Sequence, residues 1–221
     1  MCEAAAVAGE ARSDRRGFLK RSAAVLGGAT ALPLLAGRAH AAGPPKGRLG
    51  LVGMDHVGLT VPDIDEAVAW FEDVMGASAP LSFGPISDPQ GTLMHDLLGV
   101  DRSAAIDRIT VLRIGHSANI ELFQYEAPNQ LHTHPRNSDW SGHHIAFYVT
   151  DIDTAVAYME GKGVEKFLGP FPLTAGPAAG QTINYFRTPF GTDVELISYP
   201  HGMAYQATAP VPLWDPRDNH P

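Results

Sequence analysis

The sequence predicts an α+β fold built from two β-α-β-β-β modules, because one pattern occurs in it twice. Residues 54–65 read MDHVGLTVPDID and residues 142–153 read GHHIAFYVTDID. Further on, residues 119–125 read NIELFQY and residues 193–199 read DVELISY. Each copy therefore opens with a histidine on a strand-like segment and closes with a glutamate on another, which indicates a duplicated module.

The first module begins with an apolar-rich, alternating segment at residues 56–61, which is typical of a strand. Asp63 followed by Glu66 forms a capping-box pattern at the start of a helix, and Gly76 ends that helix. The segment 94–100 (MHDLLGV) predicts a further short helix. The remaining strands of this module are predicted at residues 81–86, 108–114 and 119–125.

The second module repeats this order of elements. Its first strand is predicted at residues 144–149, and Asp151 caps a helix that ends near Gly161 and Gly163. The turn at residues 189–191 (PFG) joins the last two strands into a hairpin. The later strands are predicted at residues 165–168, 182–188 and 193–199.

The N-terminal segment has the features of an export signal. Residues 15–20 read RRGFLK, which resembles the twin-arginine motif, and a short apolar run leads to AHA at residues 39–41. We expect cleavage after Ala41 and a periplasmic or extracellular protein. Glycine and proline interrupt the apolar run, which is short for a membrane span, so no stable membrane anchor is expected after cleavage.

Charge and cysteine content limit the possible functions of the mature chain. Removal of residues 1–41 takes away six basic and three acidic residues and changes the formal net charge from −8 to −11. Such a surface repels phosphate backbones, so nucleic acid is not an expected partner. The one cysteine, Cys2, lies in the signal segment. Any bound metal must therefore be held by histidine and carboxylate ligands.

The predicted organisation of the chain has six parts. They are a signal peptide at residues 1–41, a linker at 42–51, module one at 52–126, a linker at 127–142, module two at 143–200, and a proline-rich tail at 201–221.

The repeated residues predict one metal site. In a β-α-β-β-β module the first and last strands can lie side by side, and residues of one parity share a face. His56 and Glu121 can then face one concave sheet surface, with His144 and Glu195 on the other. The curved mixed sheets would pair around a central metal cavity. Imidazole and carboxylate ligands suit Fe, Mn, Co, Ni or Zn, and the sequence does not select among them.

These motifs resemble the vicinal oxygen chelate superfamily, which includes glyoxalases, bleomycin resistance proteins and extradiol dioxygenases. The resemblance covers about residues 52–200 and implies that His56, Glu121, His144 and Glu195 are the metal ligands. It implies an exported, glyoxalase-like enzyme that acts on a small molecule with vicinal oxygens through a metal-stabilised enolate, as a lyase, isomerase or epimerase. In such a site one glutamate, Glu121 or Glu195, leaves the metal and acts as the base.

Two other functions stay open at this point. An Fe(II) extradiol-type dioxygenase would use His56, His144 and Glu195 and leave Glu121 spare. A non-catalytic small-molecule binding or resistance protein is the other alternative, although relatives of that kind commonly lack the ligands. A homodimer is also compatible with the resemblance. The sequence assigns no role to four further histidines, which are His95, His116, His132 and His134.

Overall fold

The structure, a computed structural model, describes residues 51, 53–116 and 118–219, so the predicted signal peptide at 1–41 lies outside the described residues.

The first module forms a five-stranded mixed sheet. The strand order is β1-β5-β4-β2, with β3 beside β4, and β1 runs parallel to β5. The elements are β1 (His56–Thr60), α1 (Ile64–Met75), β2 (Ser78–Phe83), β3 (Ile86–Ser87), α2 (Leu93–Leu98), β4 (Ala105–Arg113) and β5 (Asn119–Glu126).

The second module repeats this topology in a second five-stranded sheet. Its order is β6-β10-β9-β7, with β8 beside β9, and β6 runs parallel to β10. The elements are β6 (His144–Tyr148), α3 (Ile152–Gly161), β7 (Glu165–Lys166), β8 (Phe171–Pro172), β9 (Thr182–Arg187) and β10 (Asp193–Ser198). Two mixed sheets with few helices confirm the predicted α+β fold of two modules.

Several local predictions are confirmed. Asp63 and Asp151 cap α1 and α3, because each carboxylate accepts hydrogen bonds from two backbone N–H groups of the first helical turn. Gly76 ends α1 in the left-handed region with φ of 65°. The short helix predicted at 94–100 is α2. None of the helices in the described ranges is long and apolar enough to cross a membrane.

The strand predicted at residues 81–86 differs from the observed one. The sheet contains β2 up to Phe83 and then the two-residue strand β3, with Gly84 and Pro85 between them. Proline has no backbone N–H to donate to a neighbouring strand, and Gly84 has a φ of 135°. The strand predicted at residues 81–86 is therefore interrupted after Phe83.

The core lies on the helix-facing sides of both sheets. Leu59, Ile120 and Leu122 are buried there against Phe71 of α1. Ile145, Phe147 and Phe190 of the second module pack against this same cluster. A second cluster places Val74 of α1 among residues of module two, which are Val156, Met159, Phe186, Val194 and Leu196. The two modules therefore share one apolar interior, and α1 belongs to both halves of it.

Aromatic and polar contacts reinforce this junction. The ring of Phe190 lies 5.7 Å from that of Trp70 and 5.6 Å from that of Phe71, measured between centroids. At the exposed rim, Lys162 of module two lies 2.7 Å from the carboxylate of Asp73. The hydroxyl of Tyr158 donates to the backbone carbonyl of Asp73 at 3.1 Å.

Replacement of Phe71 tests the shared core. Phe71 is fully buried and contacts both modules. We expect Phe71→Ala to lower the free energy of unfolding by about 3–5 kcal/mol, because it leaves a cavity at the junction. Chemical denaturation followed by circular dichroism measures the change. Glu72→Ala, on the exposed side of the same helix, should cost less than about 0.5 kcal/mol. Equal stability of the two variants would contradict the shared core.

Candidate active site

Each module holds one histidine and one glutamate on the sheet face opposite the core, called here the site face. In module one, β1 pairs with β5 so that Gly58 lies opposite Glu121. His56 is two residues before Gly58 and therefore shares its face. The Nε2 atom of His56 lies 3.1 Å from Oε2 of Glu121.

Module two reproduces this arrangement. Ala146 lies opposite Glu195 in the parallel pair of β6 and β10, and His144 is two residues before Ala146. The Nε2 atom of His144 lies 3.1 Å from Oε2 of Glu195. A small residue, glycine or alanine, therefore lies opposite each glutamate. The duplicated sequence thus places the same two groups at the same separation in both modules.

The two His–Glu pairs have different surroundings. The pair in module one has an additional carboxylate beside its histidine. Nδ1 of His56 lies 2.6 Å from the carboxylate of Asp55. This hydrogen bond, aided by the charges of Glu121 and Asp55, raises the pKa of His56 above its ordinary value, although burial opposes the shift. A carboxylate on the far nitrogen also fixes the orientation of the ring, an arrangement common among metal-binding histidines.

In module two the additional group is a tyrosine. The hydroxyl of Tyr185 donates to Oε2 of Glu195 at 3.1 Å and lies 3.3 Å from Nε2 of His144. Burial, followed by the charge of Glu195 and the hydrogen bond to it, raises the pKa of Tyr185 to about 12, so the hydroxyl keeps its proton at neutral pH. Tyr185 lies opposite Glu195 on β9, whereas Val111 takes the corresponding place opposite Glu121 on β4. The second glutamate is therefore held by a donor that the first lacks.

Sequence reasoning missed the roles of Asp55 and Tyr185. Asp55 immediately precedes the first histidine, and an acidic residue there was a usable signal. Tyr185 lies in the strand predicted at residues 182–188, and the hairpin turn at residues 189–191 sets the register that places it opposite Glu195.

The two pairs do not meet within one chain. Among the described residues, no group of three or more His, Cys, Asp or Glu side chains is close enough to hold a metal ion. The shared core explains this, because the helix-facing sides of the sheets turn toward each other and the site faces turn away. His56 with Glu121, and His144 with Glu195, form two separate half-sites.

A cleft of about 400 Å³ contains neither half-site. It lies beside β1 and the linker between the modules, and His134 and His143 are among its lining residues. Their rings are 5.1 Å apart, and Nδ1 of His134 lies 2.8 Å from the carbonyl oxygen of Pro135. In the described part of the chain, neither histidine side chain forms a hydrogen bond or ion pair with His56, Glu121, His144 or Glu195. The cleft therefore lacks the His–Glu pairs that the duplicated sequence repeats.

The residues of the half-sites suit a divalent metal ion. Each offers one imidazole nitrogen and one carboxylate, the donor types that first-row divalent ions bind. The side chain of Glu195 is only 9% exposed and that of Glu121 only 18%. Neither is paired with lysine or arginine in the described residues, and a largely buried carboxylate is costly unless a cation or several donors compensate its charge.

The effect of Asp55 can be tested in the metal-free protein. We expect Asp55→Asn to lower the pKa of His56 toward 6.5, because the amide carries no charge and is a weaker acceptor. An NMR titration of the His56 ring measures the pKa directly. Asp65→Asn, which removes an exposed carboxylate that does not contact His56, is the control. A His56 pKa that is the same in wild type and Asp55→Asn would show that Asp55 does not hold the ring.

Comparison with known proteins identifies similar chains. The family described as the glyoxalase/bleomycin resistance protein/dioxygenase superfamily matches residues 55–185, more than half of the chain. A 2-epi-5-epi-valiolone epimerase from an Actinomyces species is 42% identical over 172 residues, which are 77% of this chain and 92% of the relative.

Two solved structures are similar to this chain, and the first of them shares its fold. A glyoxalase family protein from Bacillus cereus aligns with a TM-score of 0.52 at 19% identity, over 67% of this chain and 94% of its own. An integron cassette protein from Vibrio cholerae aligns with a TM-score of 0.42 at 25% identity, over 67% of this chain and 96% of its own.

Proposed function

The chain belongs to the glyoxalase/bleomycin resistance protein/dioxygenase superfamily, and from this premise we propose that it is a metal-dependent epimerase of a small ketone. The observation that carries the proposal is the identical placement of a His–Glu pair in both modules. The Actinomyces relative supports epimerisation over lyase or ring-cleaving chemistry. The ending of the name 2-epi-5-epi-valiolone denotes a ketone. A carbon next to a ketone can lose a proton, because the resulting carbanion is delocalised as an enolate.

One divalent ion would be held by His56, Glu121, His144 and Glu195. Bound there, it would supply a Lewis acid that stabilises negative charge developing on an oxygen of the substrate. Fe, Mn, Co, Ni and Zn all suit this donor set.

The half-sites would be joined by a second copy of the chain. Both site faces turn away from the core of their own chain, and both histidines lie on strands at the edge of their sheets, β1 and β6. An edge strand can lie beside an edge strand of another copy. In a two-fold dimer, His56 and Glu121 of one protomer would face His144 and Glu195 of its partner, and two equivalent sites would form.

The unequal surroundings of the two glutamates assign their roles. Within the described residues, His56 is the one polar partner of Glu121, so the Glu121 carboxylate would be the one to leave the metal and accept a proton from the substrate carbon. Glu195 is held by the Tyr185 hydroxyl and by His144 and keeps its position. Inversion requires that a proton return on the opposite face of the substrate, where the Tyr185 hydroxyl would donate it; exchange with water would then reprotonate Tyr185 and remove the proton taken up by Glu121.

The enzyme would act outside the cytoplasm. The RRGFLK segment at residues 15–20 and the AHA sequence at 39–41 support export by the twin-arginine route. That route, as known for the pathway, carries folded cargo, which suits a protein that takes up its metal before export.

Hydrogen exchange into the ketone tests the proposal. We expect the metal-loaded protein to incorporate deuterium from D₂O into 2-epi-5-epi-valiolone next to its carbonyl, detected by NMR, and a chelator to stop the exchange. Glu121→Gln should slow exchange by about 10²–10⁴-fold, because it removes the base. Isothermal titration with Mn²⁺ reports separately on metal binding.

The control is Glu126→Gln, the same substitution at the exposed end of β5, which should exchange at the wild-type rate. Wild-type protein that binds Mn²⁺ but leaves the ketone unlabelled would reject the epimerase. Full exchange in Glu121→Gln would reject this residue as the base.

A further inference from the structure

The C-terminal tail folds back onto the site face of module two. Tyr148 continues the site-face series of β6 after His144 and Ala146, and Tyr199 continues the series of β10 after Glu195. The two tyrosine rings meet edge to face with centroids 4.9 Å apart. The guanidinium of Arg217, near the end of the chain, lies 5.0 Å from the centre of the Tyr199 ring.

Arg217 fastens the tail at this place. Its Nη1 donates to the backbone carbonyls of Tyr199 at 2.9 Å and Pro200 at 3.2 Å. Its Nη2 lies 2.6 Å from the carboxylate of Asp215, whose side chain is only 10% exposed. Earlier in the tail, the N–H of Tyr205 donates to the carbonyl of Pro177 at 2.8 Å. The proline-rich tail is thus attached to the domain through both Tyr205 and Arg217.

Module one is closed at the equivalent position by a different segment. Tyr125 follows Glu121 by four residues, as Tyr199 follows Glu195. Helix α2 covers that end of the first sheet, with fully buried Met94 in a cluster against which Phe123 and Tyr125 pack. Neither α2 nor the tail belongs to the duplicated pattern. Two unrelated additions therefore close the same end of both site faces, with an apolar lining in module one and a polar one in module two.

The hydroxyl of Tyr199 makes no hydrogen bond within the described residues. The residue as a whole is only 7% exposed, so its ring is held in place. The hydroxyl of Tyr148 likewise makes no hydrogen bond there, and neither hydroxyl oxygen is among the enclosed polar atoms, so both remain accessible. Both rings belong to the face that carries His144 and Glu195. Unpaired hydroxyls in this position point to a ligand that supplies the missing partners.

We propose that Tyr148 and Tyr199 form a subsite that binds hydroxyl groups of the substrate, and that the tail, fastened by Arg217, holds this subsite in place. The proposal rests on the proposed function and adds that the ketone carries hydroxyl groups away from its reacting carbon. Tyr148 and Tyr199 contact the substrate, whereas Arg217 is a positioning residue. The subsite makes no contact with the metal ligands, so it sets the KM for the ketone and leaves metal affinity unchanged.

Kinetics with 2-epi-5-epi-valiolone test the subsite. We expect Tyr199→Phe and Tyr148→Phe each to raise KM by about 3- to 10-fold, the loss of one hydrogen bond, with a smaller change in kcat. Arg217→Ala should raise KM by at least as much, and Arg217→Lys should raise it less than Arg217→Ala does. The Kd for Mn²⁺ should stay within about 2-fold of the wild-type value in all four variants. Limited proteolysis should cut the tail faster in Arg217→Ala than in wild type.

The matched control is Tyr158→Phe, which removes a hydroxyl on the core side of the second sheet and should keep the wild-type KM. Wild-type protein that turns the ketone over, together with unchanged KM in Tyr199→Phe, Tyr148→Phe and Arg217→Ala, would overturn the subsite alone. Wild-type protein that does not act on the ketone would overturn the proposed function and the subsite with it.

Discussion

The parallel pairing of the first and last strand in each module is the constraint on which the site depends. The register places glutamate opposite a small residue and histidine two positions earlier on the same face. Because the register is the same in β1/β5 and β6/β10, duplication of the sequence duplicates the geometry, with 3.1 Å between imidazole and carboxylate in both modules. A slip of one residue in either pair would turn the glutamate into the core.

Packing of the two sheets decides how these half-sites can be used. Phe71, Val74 and Phe190 bind the helix-facing sides into one interior, and burial of that apolar surface is the main stabilising term in such a junction. The same packing turns the two His–Glu pairs outward. The contacts that stabilise the single chain therefore keep the two half-sites apart, whereas a complete site needs them together. In the proposed dimer, each protomer would keep its core and contribute one half to each site, which would satisfy both.

The sequence predicted the repeated parts of this structure better than the unrepeated ones. His56, Glu121, His144 and Glu195 could be found because each half served as a template for the other, and β-strand parity placed them on one face. Tyr185 differs from Val111 at the matching position, so comparison of the halves could not reveal its bond to Glu195. The tail has no counterpart in module one, and its attachment through Arg217 depends on tertiary contacts with Tyr199 and Pro200 that local patterns do not encode.

The measurement that tests the central claim most directly is complementation between two inactive variants. His56→Ala/Glu121→Ala removes the first half-site, and His144→Ala/Glu195→Ala removes the second. If sites form between copies, purified mixed dimers carry one intact site, bind one Mn²⁺ and regain about half of the wild-type exchange rate per dimer, while each variant alone stays inactive. Mixed dimers that bind no Mn²⁺ and show no exchange would contradict a site shared between two chains.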